Sequence, residues 1–94
     1  WKKALEIKDN ARIRLNLALA YINQERFDRA IESLQKALSL KPRFSRAHFE
    51  LAQLFLREEK KEQALDHFQK IILYSPGGEL AKKSKEYIQL VRPN

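Results

Sequence analysis

The 94-residue chain has no cysteine, no methionine, two glycines, three prolines and one tryptophan. Without cysteine there can be no disulfide, no thiolate zinc cluster and no thiol nucleophile. The two glycines are adjacent, Gly77 and Gly78. They read as a flexible link, and no glycine-rich phosphate loop exists. No apolar run approaches the roughly 20 residues needed to cross a bilayer. The two histidines, His48 and His67, lack the carboxylate or imidazole partner at i+4 that makes a helical zinc pair, which points to structural or surface roles. Carboxylates are present, but Glu32 with Lys36 and Asp66 with Lys70 are i, i+4 helix-supporting pairs rather than an acid–base dyad. With neither nucleophile, acid–base constellation nor metal set, the expectation is a non-catalytic segment with no metal and no cofactor.

Acidic residues are also outnumbered. Nineteen Lys and Arg against twelve Asp and Glu leave a net charge of +7, which favours acidic partners. The basic residues are scattered, with local groups at Lys41, Arg43 and Arg46 and at Lys82, Lys83 and Lys85. No aromatics interleave them in sequence as stacking platforms, so a solvated basic face is favoured over nucleic-acid binding. The compartment is left open.

What the chain does have is a repeated unit. Leu17-Ala18-x-x-Tyr21, Ala30, Leu34, Ala37 and Pro42 return 34 residues later as Leu51-Ala52-x-x-Phe55, Ala64, Phe68, Ile71 and Pro76. Eight aligned positions are identical: Arg12/Arg46, Leu17/Leu51, Ala18/Ala52, Glu25/Glu59, Ala30/Ala64, Gln35/Gln69, Lys36/Lys70 and Pro42/Pro76. A period of this length marks an α-solenoid of stacked helical hairpins. Leu17, Ala18 and Tyr21 share a face directed at the partner helix, and Ala30, Leu34, Ala37 and Leu38 return it. The alanine pairs Ala18/Ala30 and Ala52/Ala64 are expected at the closest crossings. Asp28 and Glu62 complement the dipole at the start of each second helix, and Pro42 and Pro76 prevent its continuation.

The pattern large-x-x-Leu-small-x-x-Tyr, Ala, aromatic or Leu, Ala, Pro resembles the tetratricopeptide repeat (TPR) family. The resemblance implies an all-α fold, an α-solenoid of antiparallel helical hairpins in a right-handed arc. Residues 11–42 and 45–76 form two full units. Residues 1–9, matching Leu34 to Lys41 at a spacing of 33, read as the second helix of a truncated repeat, which suggests a piece of a longer protein. Residues 79–92 read as a C-terminal capping helix, with Leu80, Ser84, Tyr87, Ile88 and Val91 inward and Lys82, Lys83, Lys85 and Glu86 outward. Two positions depart from the family pattern. Glu25 and Glu59 stand where the intra-hairpin turn usually has glycine, so a slightly rewound turn is expected. Lys61 replaces the aromatic that Phe27 supplies in the first unit, so a looser second tip is expected.

The first helices of such hairpins line the concave face. Leu15, Leu19 and Ile22 form a second apolar stripe at i, i+4, i+7, continued by Phe49, Gln53 and Leu56. An apolar surface of this kind marks a contact. It reads as a groove for a short apolar peptide or amphipathic helix, rimmed by Arg12, Asn16, Asn23, Arg46, Glu50 and Arg57. Upstream helices of a longer superhelix are the competing occupant of the stripe around Leu15 and Leu19. The basic and asparagine clamp by which some members of the family hold chaperone C-termini is absent, since its places hold Leu15, Leu19, Glu50, Leu80 and Ser84. The asparagine ladder of others is absent too, because Asn16 has Glu50 as its counterpart. A different reading is self-association into a homo-oligomer through Trp1, Ala4, Leu5 and Ile7. A third is contact of the basic surface with RNA or acidic lipid, whose mark would be a steep salt dependence.

Overall fold

The computed structural model describes residues 10–92. The expected half-repeat over residues 1–9, and with it the self-association surface at Trp1, Ala4, Leu5 and Ile7, lies outside the described residues. The described residues form five helices and no strand: α1 (Ala11–Asn23), α2 (Phe27–Leu40), α3 (Ser45–Arg57), α4 (Lys61–Tyr74) and α5 (Glu79–Val91). Helix α1 packs on α2, α3 on α4, and α2 on α3. Helix α5 lies against α4 and touches α3.

Small residues set these approaches. Ala18, Ala30, Ala52 and Ala64 are all fully buried, as are Ala37, Ala47 and Ala81. A methyl group at each place lets two helix backbones come close, and a larger side chain would overpack the site. Leu34 and Phe68 occupy corresponding positions in α2 and α4 and are also fully buried. Phe68 joins Phe49 and Tyr87 in an aromatic cluster that ties α3, α4 and α5 together. Its ring stacks on Tyr87 at 5.0 Å between centroids and meets Phe49 edge-on at 5.9 Å.

Helix α1 begins on a side-chain cap, Asn10, whose Oδ1 accepts the Ile13 N–H at 2.8 Å. That satisfies one of the donors left free at a helix start. The two intra-hairpin turns are copies of each other. Arg26 N–H reaches the Tyr21 carbonyl at 2.8 Å and Glu25 N–H reaches Ile22 at 2.9 Å, while Lys60 and Glu59 repeat both bonds to Phe55 and Leu56. This is the Schellman arrangement, which places its pivot residue in the left-handed region. Glu25 has φ 61° and Glu59 has φ 62°. The turn is therefore not rewound to suit glutamate. Two paired backbone bonds hold the residue in a conformation that costs a side-chain-bearing residue about 1 kcal/mol.

The phase of α1 also differs from expectation. Its buried stripe is Ala11, Leu15 and Ala18, at i, i+4, i+7. Leu15, expected on the open concave face, is thus a core residue. Leu17, expected inside the hairpin, remains 38% exposed. It borders a shallow cavity of about 200 Å³ with Arg14, Tyr21, Arg29 and Ser33. Its counterpart Leu51 is 1% exposed. Leu17 thus belongs to the stacking flank of the unit, and the packing between α1 and α2 does not by itself cover it.

Candidate partner-binding groove

An open groove of about 410 Å³ between α3 and α5 is lined by Phe49, Gln53, Lys83, Glu86, Tyr87 and Leu90. Phe49 is only 8% exposed and forms the floor, its ring edge-on to Tyr87 at 5.7 Å. Leu90 stands on the wall, 77% exposed. Gln53 Nε2 donates to Tyr87 Oη at 2.8 Å, so the amide is held by the wall rather than pointing free.

Four of these lining residues, Lys83, Glu86, Tyr87 and Leu90, were not among the groove residues anticipated from sequence. The repeat period contains the signal for three of them. Adding 34 to Leu15 and Phe49 reaches Lys83, to Leu19 and Gln53 reaches Tyr87, and to Ile22 and Leu56 reaches Leu90. Helix α5, read as a cap, also forms one wall of this groove with α3. The hydrogen-bonded Gln53 and Tyr87 stand one full period apart in sequence.

The remaining anticipated residues divide by burial. Leu19, Ile22 and Leu56 are half-buried against the core. Leu15 and Phe49 belong to the core itself, so they form the base of the surface. Arg12, Asn16 and Asn23 are exposed on α1. Arg46 Nε meets Glu50 Oε2 at 2.8 Å within α3, and neither lines the groove between α3 and α5. Arg57 lies over the Phe27 ring at 4.1 Å, so it bridges the end of α3 to the start of α2. Ser84 is fully buried and Leu80 half-buried, both turned into the packing of α5.

The basic residues have aromatic neighbours that the linear sequence hides. Lys41 lies over Phe44 at 4.8 Å and Arg43 over Tyr74 at 5.4 Å. Lys60 lies over Phe55 at 5.9 Å. These ring faces are occupied by the protein's own cations.

The histidines meet between α3 and α4. His48 Nδ1 and His67 Nδ1 are 2.9 Å apart, and His48 Nε2 lies 2.8 Å from the Pro42 carbonyl oxygen. The His67 ring stacks on Phe55 at 5.7 Å. Burial pushes the His67 pKa down to about 4, helped by His48 and Lys70 and opposed by Asp66. Burial also lowers that of His48, against the Pro42 hydrogen bond and Asp66, which favour the charged form. Sequence reasoning treated the two rings separately because they are 19 residues apart on different helices. Among the described residues no group of three or more His, Cys, Asp or Glu side chains could hold a metal. Nor is any described helix long and apolar enough to cross a membrane.

The tetratricopeptide repeat model matches residues 15–78, and the chain belongs to that family, whose repeats generally mediate protein–protein interaction. It is 31% identical over 96 residues to the uncharacterized protein ycf37 of Cyanophora paradoxa, covering 94% of this chain and 56% of that protein. It is 31% identical over 74 residues to sperm-associated antigen 1 of Mus musculus, covering 79% of this chain and 8% of that protein. Serine/threonine-protein phosphatase T of Trypanosoma brucei brucei is 28% identical over 87 residues, with 93% of this chain and 18% of that protein covered. The chain thus spans between 8% and 56% of the length of these relatives.

Proposed function

We propose that the chain is a non-catalytic docking module that receives a peptide or amphipathic helix of another protein across α1, α3 and α5. Leu19, Ile22, Leu56, Tyr87 and Leu90 are its apolar contacts. Leu15 and Phe49 support them from beneath, and Gln53 is held in place by Tyr87. Arg12, Asn16, Asn23, Arg46, Glu50 and Arg57, with Lys83 and Glu86, form the polar rim that sets direction. The observation that carries this reading is the solvent-exposed Leu90 at the mouth of a groove floored by Phe49. Apolar contacts recurring on successive helices suit an amphipathic segment with anchors at i, i+3/i+4 and i+7. A net charge of +7 favours an acidic segment.

The test uses a displayed peptide library rather than a single candidate. Wild type, Leu90→Glu and Leu73→Glu are compared after circular dichroism confirms that all are helical. Leu73 is 73% exposed on α4, outside the groove lining. The expected result is a selected peptide family whose binding falls at least tenfold with Leu90→Glu and is unchanged with Leu73→Glu. Equal binding by all three would refute the groove reading.

Self-association has one observation in its favour, the exposed Ile13 and Leu17 on the flank of α1. A sedimentation profile that stays monomeric as concentration rises removes it.

A further inference from the structure

The histidine contact fixes a pattern of protons. Two ring nitrogens 2.9 Å apart can bond only when one carries hydrogen and the other does not. The Pro42 carbonyl oxygen can only accept, so His48 Nε2 is the N–H that donates to it. A neutral His48 then has a bare Nδ1, which accepts from His67 Nδ1–H, and His67 Nε2 is left bare. One chain of donors thus runs from α4 through α3 into the turn between the two units.

We propose that the His48–His67 pair is a pH-dependent tie between the α3–α4 hairpin and the inter-repeat turn, whose contribution to stability is full at neutral pH and falls through mild acid. A first added proton can go to His67 Nε2 without breaking the chain, but it places a cation in a half-buried slot against the Phe55 ring. A second proton has only His48 Nδ1 to occupy. It would set two N–H groups against each other at 2.9 Å, and the link between the helices would be lost.

The surroundings do little to neutralise that charge. From α4, Asp66 opposes the shift and Lys70 favours it, and these two are themselves paired at 3.1 Å. Glu62, also on α4, lines the cavity of about 320 Å³ beside His67, to which α2 contributes only the neutral Gln35. From the turns, Arg43 lies over Tyr74, whose ring is 5.8 Å from His48, and Lys60 lies over Phe55.

The sign follows from the direction of the shifts. Both histidines have folded pKa values below the ordinary 6.5, His67 at about 4. Between these values the unfolded chain binds more protons than the folded one, so stability is fully present above pH 6.5 and is lost as pH falls towards 4. The tie does not depend on what binds the groove, although Phe49, next to His48 on α3, floors it.

These are the chain's only two histidines, so a melt between pH 7 and pH 5 isolates them from the carboxylates. The folded-to-unfolded ratio of the wild type is expected to fall by about twentyfold or more across that window, the change that His67 alone produces. In the double variant His48→Gln/His67→Phe it should stay nearly constant, since Gln can still donate to Pro42 and Phe can still stack on Phe55. Nitrogen-15 NMR of the wild type reads the proton pattern directly: hydrogen on His48 Nε2 and His67 Nδ1 at pH 7, with both titrating below pH 6.5. The proposal is overturned by ordinary titration of both rings near 6.5, by the opposite tautomers, or by equal pH dependence in the two proteins. Should the double variant fail to fold, the wild-type titration decides alone.

Discussion

Helices α1 and α3 hold equivalent places in two copies of one unit, yet they are buried in different ways. Helix α1 buries a single stripe of Ala11, Leu15 and Ala18, whereas α3 buries Ala47, His48, Phe49, Leu51, Ala52, Leu54 and Phe55, on nearly every side. The difference lies in the neighbours rather than in the local pattern. Helix α3 is flanked by α2, α4 and α5, while among the described residues α1 packs mainly on α2. In a stacked array a residue's energetic weight is set by how many flanks are covered, so identical residues at identical phase need not contribute equally.

The largest expected effect tests that statement on one residue type. Leu51→Ala removes a side chain with 1% exposure and should cost about 3 kcal/mol, as for large-to-small core substitutions. Leu17→Ala, at 38% exposure, should cost only about 1 kcal/mol. Urea denaturation of the two variants measures both. Equal costs would break the comparison and mean that the flank of α1 is covered in solution.

Much of this architecture was legible in the sequence because it follows from periodicity. The first four helices and the buried alanines at their crossings, Ala18, Ala30, Ala52 and Ala64, follow from the period and its small residues, and α5 follows from its amphipathic face. Three things were not legible. The burial of Leu15 and the exposure of Leu17 depend on which flanks are covered, and that is a property of stacking. The histidine pair depends on two helices meeting side by side. The part of α5 in the groove wall lay in the repeat arithmetic, but the absence of the unit's usual Leu-Ala and proline marks made that helix read as a terminator only.

The turns should behave alike in both hairpins, which sharpens the comparison from the other side. Glu25 and Glu59 share the same left-handed φ and the same backbone bonds, and both are exposed. Glycine has no Cβ to strain there, so Glu25→Gly and Glu59→Gly should each stabilise the protein by about 1 kcal/mol. Thermal melts of the single variants should show two gains of similar size. A gain in one turn alone would mean that the hairpins differ locally as well as in their neighbours.

The smallest effect concerns the proposed rim, where the units have diverged in charge. Arg46 reaches Glu50 one turn on, whereas the matching Arg12 has Asn16 in that place. The Arg46 side chain is 52% exposed and that of Glu50 13%, so solvent and salt screen much of the attraction. Glu50→Asn, which copies the first unit's residue, should cost no more than about 0.5 kcal/mol at low salt. Asn16→Glu, which copies the second, should return a few tenths of a kcal/mol. Both differences should shrink in 1 M salt in chemical denaturation. If Glu50→Asn instead costs several times that amount and is insensitive to salt, the carboxylate supports the packing of α3 and this part of the proposed rim belongs to the core.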